Sequence, residues 1–224
     1  MKKLVIFGAG SFARVAQFYF CNDSPMEVAA FTVHENFLSE TPSASLCGLP
    51  LVPFETVERR FPPDDFDMFI AVGFKRLNRI RAEIYGQAKA KGYRLRTYLS
   101  SKAVYFGEVA CGDNCFILEN NVIQPFSRLG DDVILWSGNH IGHDVLIGDH
   151  CFVSSHVVLS GHVRVGDFSF IGVNACAKQG ITIGAGCLIG SGAVLLKDTR
   201  PGEAYLAQGT TASAVSAERI AAFL

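Results

Sequence analysis

Hydrophobic positions in the second half of this chain recur with a period of six. Ile117, Ile123, Leu129, Leu135, Ile141, Ile147, Val153, Leu159, Val165, Ile171, Ala177, Ile183, Ile189 and Leu195 stand six apart, and only Ala177 is not Ile, Leu or Val. The next residue is Gly in seven hexads: Gly130, Gly142, Gly148, Gly166, Gly172, Gly184 and Gly190. Four past each aliphatic lies a small or β-branched residue, such as Val133, Val145, Cys151, Val163, Ala175 or Cys187. A helix repeats every 3.6 residues and a strand every two, so neither gives this beat. A parallel β-helix does: three short strands make a triangular coil of about 18 residues, and coils stack at the ~4.8 Å strand spacing. On this reading the aliphatic points into the prism and the small residue trims the corner. The glycines are read as supplying backbone angles that bulky residues resist.

Before residue 100 the pattern changes. Apolar runs at Leu4–Phe7, Val28–Val33 and Met68–Val72 predict strands, and Arg94–Tyr98 a final one. Helices are predicted over Phe12–Cys21, Thr56–Arg60 and Lys75–Lys91, with a long loop through Pro42 and Pro50. Alternating strands and helices imply a small parallel sheet with covering helices. The expected organisation is an α/β half-Rossmann domain over residues 1–100, an all-β parallel β-helix over 101–200, and a tail over 201–224 with a short helix in Ala214–Leu224.

The turn Gly8-Ala9-Gly10-Ser11-Phe12-Ala13 is a loose form of the dinucleotide fingerprint, whose glycines leave helix N–H groups free to face a phosphate. The second strand, however, ends Phe31-Thr32-Val33-His34, with no acid for a ribose hydroxyl. A mononucleotide or nucleotide-sugar site fits better than an NAD site, with a structural cap as the alternative. Gly73, Lys75, Arg76 and Arg81 follow the third strand, beside the expected ligand crevice.

Composition narrows the classes. A net charge of −1 with no basic cluster interleaved with aromatics gives no sign of attraction to nucleic acid or a membrane surface. No apolar stretch reaches the roughly 18 residues that span a bilayer. The apolar run after Met1-Lys2-Lys3 is broken by Gly8-Ala9-Gly10, which reads as a buried strand rather than a signal peptide. Seven cysteines without a CxxC pair suit a reducing compartment, so a cytoplasmic location is expected. Cys115, Cys151 and Cys187 fall on the small-residue phase and read as packing residues.

Five of six histidines crowd into 23 residues: His140, His143, His150, His156 and His162. All miss the inward phases and should project from the prism. With 18 residues per coil, His143 stacks over Gly161, where the missing side chain lets a ligand and a backbone N–H approach. An imidazole that titrates near neutrality can take a proton from an attacking group and return it to a leaving thiolate. Asp144 could orient the ring, but neighbours on a strand point oppositely, so this pairing requires a bent corner.

A glycine-turn half-Rossmann domain followed by hexads carrying Gly142-His143-Asp144 resembles the NeuD/PglD group of bacterial sugar acyltransferases, over roughly residues 3 to 209. The resemblance implies a left-handed coil, a homotrimer, and a role in glycan biosynthesis. It also implies that His143 is a general base, Asp144 its partner and Gly161 an oxyanion donor. Acetyl-CoA is then the co-substrate, running past Gly172, Val173, Ser191 and Gly192, with Lys178, Lys197 and Arg200 open to its phosphates. No metal is expected. The α/β domain would hold a nucleotide-linked amino sugar around Gly8, Gly10, Ser11, Phe12, His34, Gly73, Lys75 and Arg76. Outward apolar residues Trp136, Phe152, Val158 and Phe170 would be covered by neighbouring prisms.

Three departures stand out. Phe152 replaces a second histidine of the bacillosamine-type enzymes, Val33 and His34 replace acids, and Gln208-Gly209-Thr210-Thr211-Ala212 replaces Gly-Asn-Pro-Ala. An O-acetyltransferase, a γ-carbonic-anhydrase-like zinc hydrase using His140, His143 and His162, and a non-catalytic nucleotide-sugar sensor remain open at this point.

Overall fold

The computed structural model describes residues 2–38 and 45–221. Pro42 and the last three residues of the C-terminal segment therefore lie outside the described part. Strands β1 (Lys3–Phe7), β2 (Val28–Val33), β3 (Ser45–Leu46), β4 (Leu49–Pro53) and β5 (Phe66–Ile70) form one sheet in the order β3-β4-β2-β1-β5. The pairings of β1 with β2 and β5, and of β2 with β4, are parallel; β3 and β4 form an antiparallel hairpin. That hairpin occupies part of the segment expected to be a loop. Helices α1 (Ser11–Asp23), α2 (Glu35–Leu38) and α3 (Arg79–Ala90) accompany the sheet, and Phe54–Arg59 forms a 3-10 helix.

From Tyr98 onward every strand is two residues long and every pairing is parallel. These strands build a left-handed parallel β-helix with three faces. Its first face runs from Tyr98–Leu99 to Ala204–Tyr205, the second from Val104–Tyr105 to Val194–Leu195, and the third from Ala110–Cys111 to Thr182–Ile183. Register advances by one coil of 18: Leu135 pairs with Ile117 and with Val153, Ile141 with Ile123 and with Leu159. The aliphatic and small-residue phases fill the prism, where Ile117, Leu135, Ile141, Val133, Val145 and Cys151 are fully buried. Each such aliphatic contributes roughly 1.5–3 kcal/mol by leaving water. Burial also pushes the Cys151 thiol up to about 12, so it packs rather than reacts.

The corners correct one expectation. The glycines after the aliphatics are not there for backbone angle but for clearance between coils. A Cβ on Gly142 would come within 2.6 Å of Gly161 N, and one on Gly172 within 2.6 Å of Ser191 N. The left-handed backbone falls elsewhere, on every sixth residue from Asn114 to Gly192, including Asp132, Asp144, His150, His156, His162 and Asn174. Asn, Asp and His accept positive φ better than most residues. The six-residue recurrence of histidine is thus corner chemistry.

The α/β unit sits on the first face. Every eighteenth residue there carries an outward apolar side chain, among them Tyr98, Phe116, Ile134, Phe152 and Phe170, and these meet Phe12, Phe20 and Phe69. Trp136, Phe152 and Phe170 are therefore covered by the chain's own sheet layer, not by a neighbouring prism. Of that set only Val158 remains exposed. The predicted final strand also divides: Leu95 bridges Met68, while Tyr98–Leu99 opens the coil.

Helix α3 starts four residues later than predicted, because Arg76, Leu77 and Asn78 all adopt left-handed angles. This bend delivers Arg81 into the joint rather than the ligand crevice. Arg81 is fully buried, with Nε 2.9 Å from Asp132 Oδ2. Its Nη2 donates to the carbonyls of Asp132, His150 and Cys151, and its Nη1 to Gly73 O and Asn78 Oδ1. Asp132 also pairs with His150 Nδ1 at 2.8 Å and accepts from Asn114 Nδ2 at 2.7 Å. His150 is thus a joint residue rather than a free outward one. Among the described residues no helix is long and apolar enough to cross a membrane.

Removing one member of a buried, hydrogen-bonded ion pair strands the other charge. Arg81→Met is expected to lower the unfolding free energy by about 3–5 kcal/mol in urea titration. A loss below about 1 kcal/mol would contradict the joint described here.

Candidate active site

His143 follows the second-face strand His140–Ile141, where the chain turns towards Leu146–Ile147 of the third face. Asp144, with φ of 58°, supplies the bend that an extended chain could not. The carboxylate swings back so that Oδ2 lies 2.8 Å from His143 Nδ1. A carboxylate at that distance accepts, so Nδ1 is the donor, and in the neutral ring Nε2 keeps its lone pair. The ring lies against Gly161 one coil on: a Cβ added there would stand 2.5 Å from Nε2. The Gly161 N–H donates to no acceptor among the described residues. An imidazole lone pair and an unused amide donor thus adjoin at a half-exposed corner.

Two further groups join them: Gln124, which the sequence did not single out, and His162, which it grouped with His143 only as a possible zinc ligand. Gln124 Oε1 accepts the His143 N–H at 2.9 Å and fixes the backbone from the coil below. His162 sets its ring edge-on to His143, with centroids 4.8 Å apart, and its Nδ1 is 3.9 Å from Asp144 Oδ2. Both follow from the 18-residue register, which stacks 124–126, 142–144 and 160–162. The ligand atoms of His143, Asp144 and His162 lie within 4.8 Å of one another, whereas His140 is outside that cluster. Within one chain, His140 does not join His143 and His162.

Lys178 and Lys197 continue up the same corner, and by coil spacing Lys197 is about 14 Å above His143. Gly172, Val173, Ser191 and Gly192 occupy the next corner, where the first face meets the second; Val173, Ser191 and Gly192 are exposed. The two sets flank the second face, whose outward Val104, Val122, Val158 and Val194 are all exposed. Phe152, named above as a departure from the bacillosamine-type pattern, is buried in the joint and does not line this site. Gln208–Ala212 is exposed.

The α/β residues gather at the C-terminal edge of their sheet. Gly8 (φ 131°) presses on the Ala71 carbonyl, which a Cβ would meet at 2.8 Å. Gly10 caps α1, and Ser11 opens it, exposed. The Phe12 ring turns away into the joint against Phe69 and Phe116, leaving only its backbone for a ligand. Gly73, Lys75 and Arg76 border the same edge, the last two exposed in the bend before α3. His34, at the end of β2, pairs through Nδ1 with Glu55 Oε1 at 2.8 Å. Burial raises the Glu55 carboxyl, but hydrogen bonds from His34 and the Glu35 N–H outweigh it and hold the group below its usual range.

Comparison with known proteins speaks to this combination. The bacterial transferase hexapeptide (six repeats) model matches residues 126–161, and the model of the hexapeptide repeat of succinyl-transferase matches residues 162–197. The acetyltransferase domain of PglB from Neisseria gonorrhoeae FA1090 is similar over 92% of this chain and 97% of its own, with TM-score 0.80 and 28% identity. The same domain is known in complex with acetyl coenzyme A, again 28% identical at TM-score 0.80, over 92% of this chain and 96% of that one. The chain is built like a NeuD/PglD-type sugar acyltransferase. A mutant of perosamine N-acetyltransferase from Caulobacter crescentus, in complex with CoA and GDP-perosamine, is 26% identical, with TM-score 0.80 over 92% of this chain and 94% of that one. No curated protein sequence matches.

The corner at Asp144 must be left-handed for the carboxylate to reach the ring. Asp144→Asn, which tolerates that angle, is expected to keep wild-type thermal stability. Asp144→Val forces a β-branched residue into it and should cost about 1–2 kcal/mol. Equal melting of the two variants would contradict the assigned corner.

Proposed function

We propose that the protein transfers an acetyl group from acetyl-CoA to the amino group of a nucleotide-linked amino sugar, by direct attack and without an acyl-enzyme. The observation that carries this reading is the His143 ring lying over Gly161 with its Nδ1 held by Asp144. The neutral amine adds to the thioester carbonyl, and His143 Nε2 takes its proton. The Gly161 N–H donates to the oxyanion as the tetrahedral intermediate forms. Collapse expels the CoA thiolate, which recovers the proton from His143. Asp144 keeps Nε2 basic by holding the other nitrogen protonated and stabilises the imidazolium between the two transfers. The likeness to a domain seen with acetyl-CoA and to an enzyme seen with GDP-perosamine supports these substrates.

The working form on this reading is a homotrimer. The corner carrying His143 joins the second and third faces and therefore lies across the prism from the first face, which bears the α/β unit. A sugar held at that unit's crevice is then served by His143 of a neighbouring chain rather than by its own. The exposed valines of the second face, between the His143 corner and the Ser191 corner, form the apolar surface on which the neighbour sits. Lys178 and Lys197 face the CoA phosphates along that groove. The free thiols suit a reducing cytoplasm.

A positioned general base contributes about 10²–10⁴-fold. His143→Ala is expected to lose turnover by about that factor in a thiol-release assay, with acetyl-CoA binding retained in calorimetry. Turnover within about twofold of wild type would remove His143 from the mechanism.

A further inference from the structure

The second strand ends without the acid that usually holds a ribose in a parallel α/β sheet. The fold supplies one from elsewhere. We infer that Glu55 accepts hydrogen bonds from the ribose diol of the bound nucleotide; the assignment rests on the nucleotide-sugar reading above and names the residue that reads the sugar ring of the nucleotide.

Topology brings Glu55 to the right edge. Strand β4 pairs with β2 in parallel, with Pro53 opposite Val33, so both chains leave the sheet at the same end. Glu55 comes two residues after Pro53, and His34 one residue after Val33. Ligands of open parallel sheets bind off this C-terminal edge. The carboxylate is drawn over the end of β2 by two donors: His34 Nδ1 lies 2.8 Å from Oε1, and the Glu35 N–H donates to Oε2 at 3.0 Å. The His34 ring is in turn wedged edge-on between Phe54 and Phe7, each at 5.4 Å between centroids. Phe7 directly precedes the Gly8–Gly10 turn, so a continuous packed path links the phosphate-facing turn to Glu55.

The carboxylate retains capacity for a ligand. Its side chain is 44% exposed. An ionised carboxylate offers about four acceptor positions; His34 occupies one, the Glu35 N–H another, and the Glu55 N–H also leans on the group. The remaining exposed acceptor capacity is available to the ribose diol. His34 acts here as a positioning residue that fixes the tilt of the carboxylate. It also accounts for the Val33-His34 departure: the acid has moved 21 residues along the chain while remaining at the same sheet edge.

The test is calorimetric titration of the full-length protein and its Glu55→Gln variant, which is close to isosteric. UDP and GDP are titrated first, and the tighter one is then compared with its 2′,3′-dideoxy form. Loss of a hydrogen bond to a charged acceptor predicts that the variant binds the ribonucleotide about tenfold or more weakly. The dideoxy form should bind both proteins equally, and as weakly as the ribonucleotide binds the variant. Equal weakening of both forms, or no weakening of either, would overturn the assignment, because a merely structural Glu55 cannot distinguish a ribose from its dideoxy counterpart. Failure of both nucleotides to bind the wild-type protein would overturn the nucleotide reading itself, and this assignment with it.

Discussion

Every feature of the site depends on backbone hydrogen bonds that tie each coil to the next at a spacing of 18 residues. Gly142 N–H donates to Leu159 O, His162 N–H to His143 O, and Gly180 N–H to Gly161 O, so the corner is clamped coil by coil. A slip of one residue would turn the buried Ile141 and Leu159 outward and their polar neighbours in. The aliphatic interior therefore fixes the register, and the register fixes which residue lies over His143. The geometry of the proposed catalytic corner is a consequence of core packing.

That dependence explains what was legible in the sequence. The period of six is a strong signal because thirteen aliphatics agree on it, and simple addition of 18 to His143 gives Gly161. The same sum also reaches Gln124 and His162, by way of their neighbours. What periodicity does not carry is the identity of each face's cover. Phe152 and Phe170 are outward apolar residues, and only the folded α/β layer shows that they are already covered. Likewise Arg81 follows a strand near a presumed crevice, and three consecutive left-handed residues divert it into the joint. The sequence also hides Glu55, since nothing local relates it to His34.

The fold separates two tasks that the chemistry needs together. The first face is committed to the α/β layer through aromatic contacts and the buried Arg81–Asp132 network. The imidazole stands on the corner opposite that face. On this account an isolated chain keeps the proposed nucleotide crevice with the α/β unit on the first face and His143 at the opposite corner, while the valine-lined second face lies between the His143 corner and the Ser191 corner. Assembly is part of the catalytic mechanism on this account, not an addition to it.

Mixing two inactive chains tests this most directly. Gly10→Trp obstructs the crevice, at a position where a Cβ meets nothing within 4 Å. His143→Ala removes the base. If the crevice of one chain serves the imidazole of another, co-expressed mixed oligomers regain acetyl transfer well above either parent, because some sites combine an open crevice with an intact His143. Mixed oligomers as inactive as both parents would mean that each chain works alone, and the shared site would have to be abandoned.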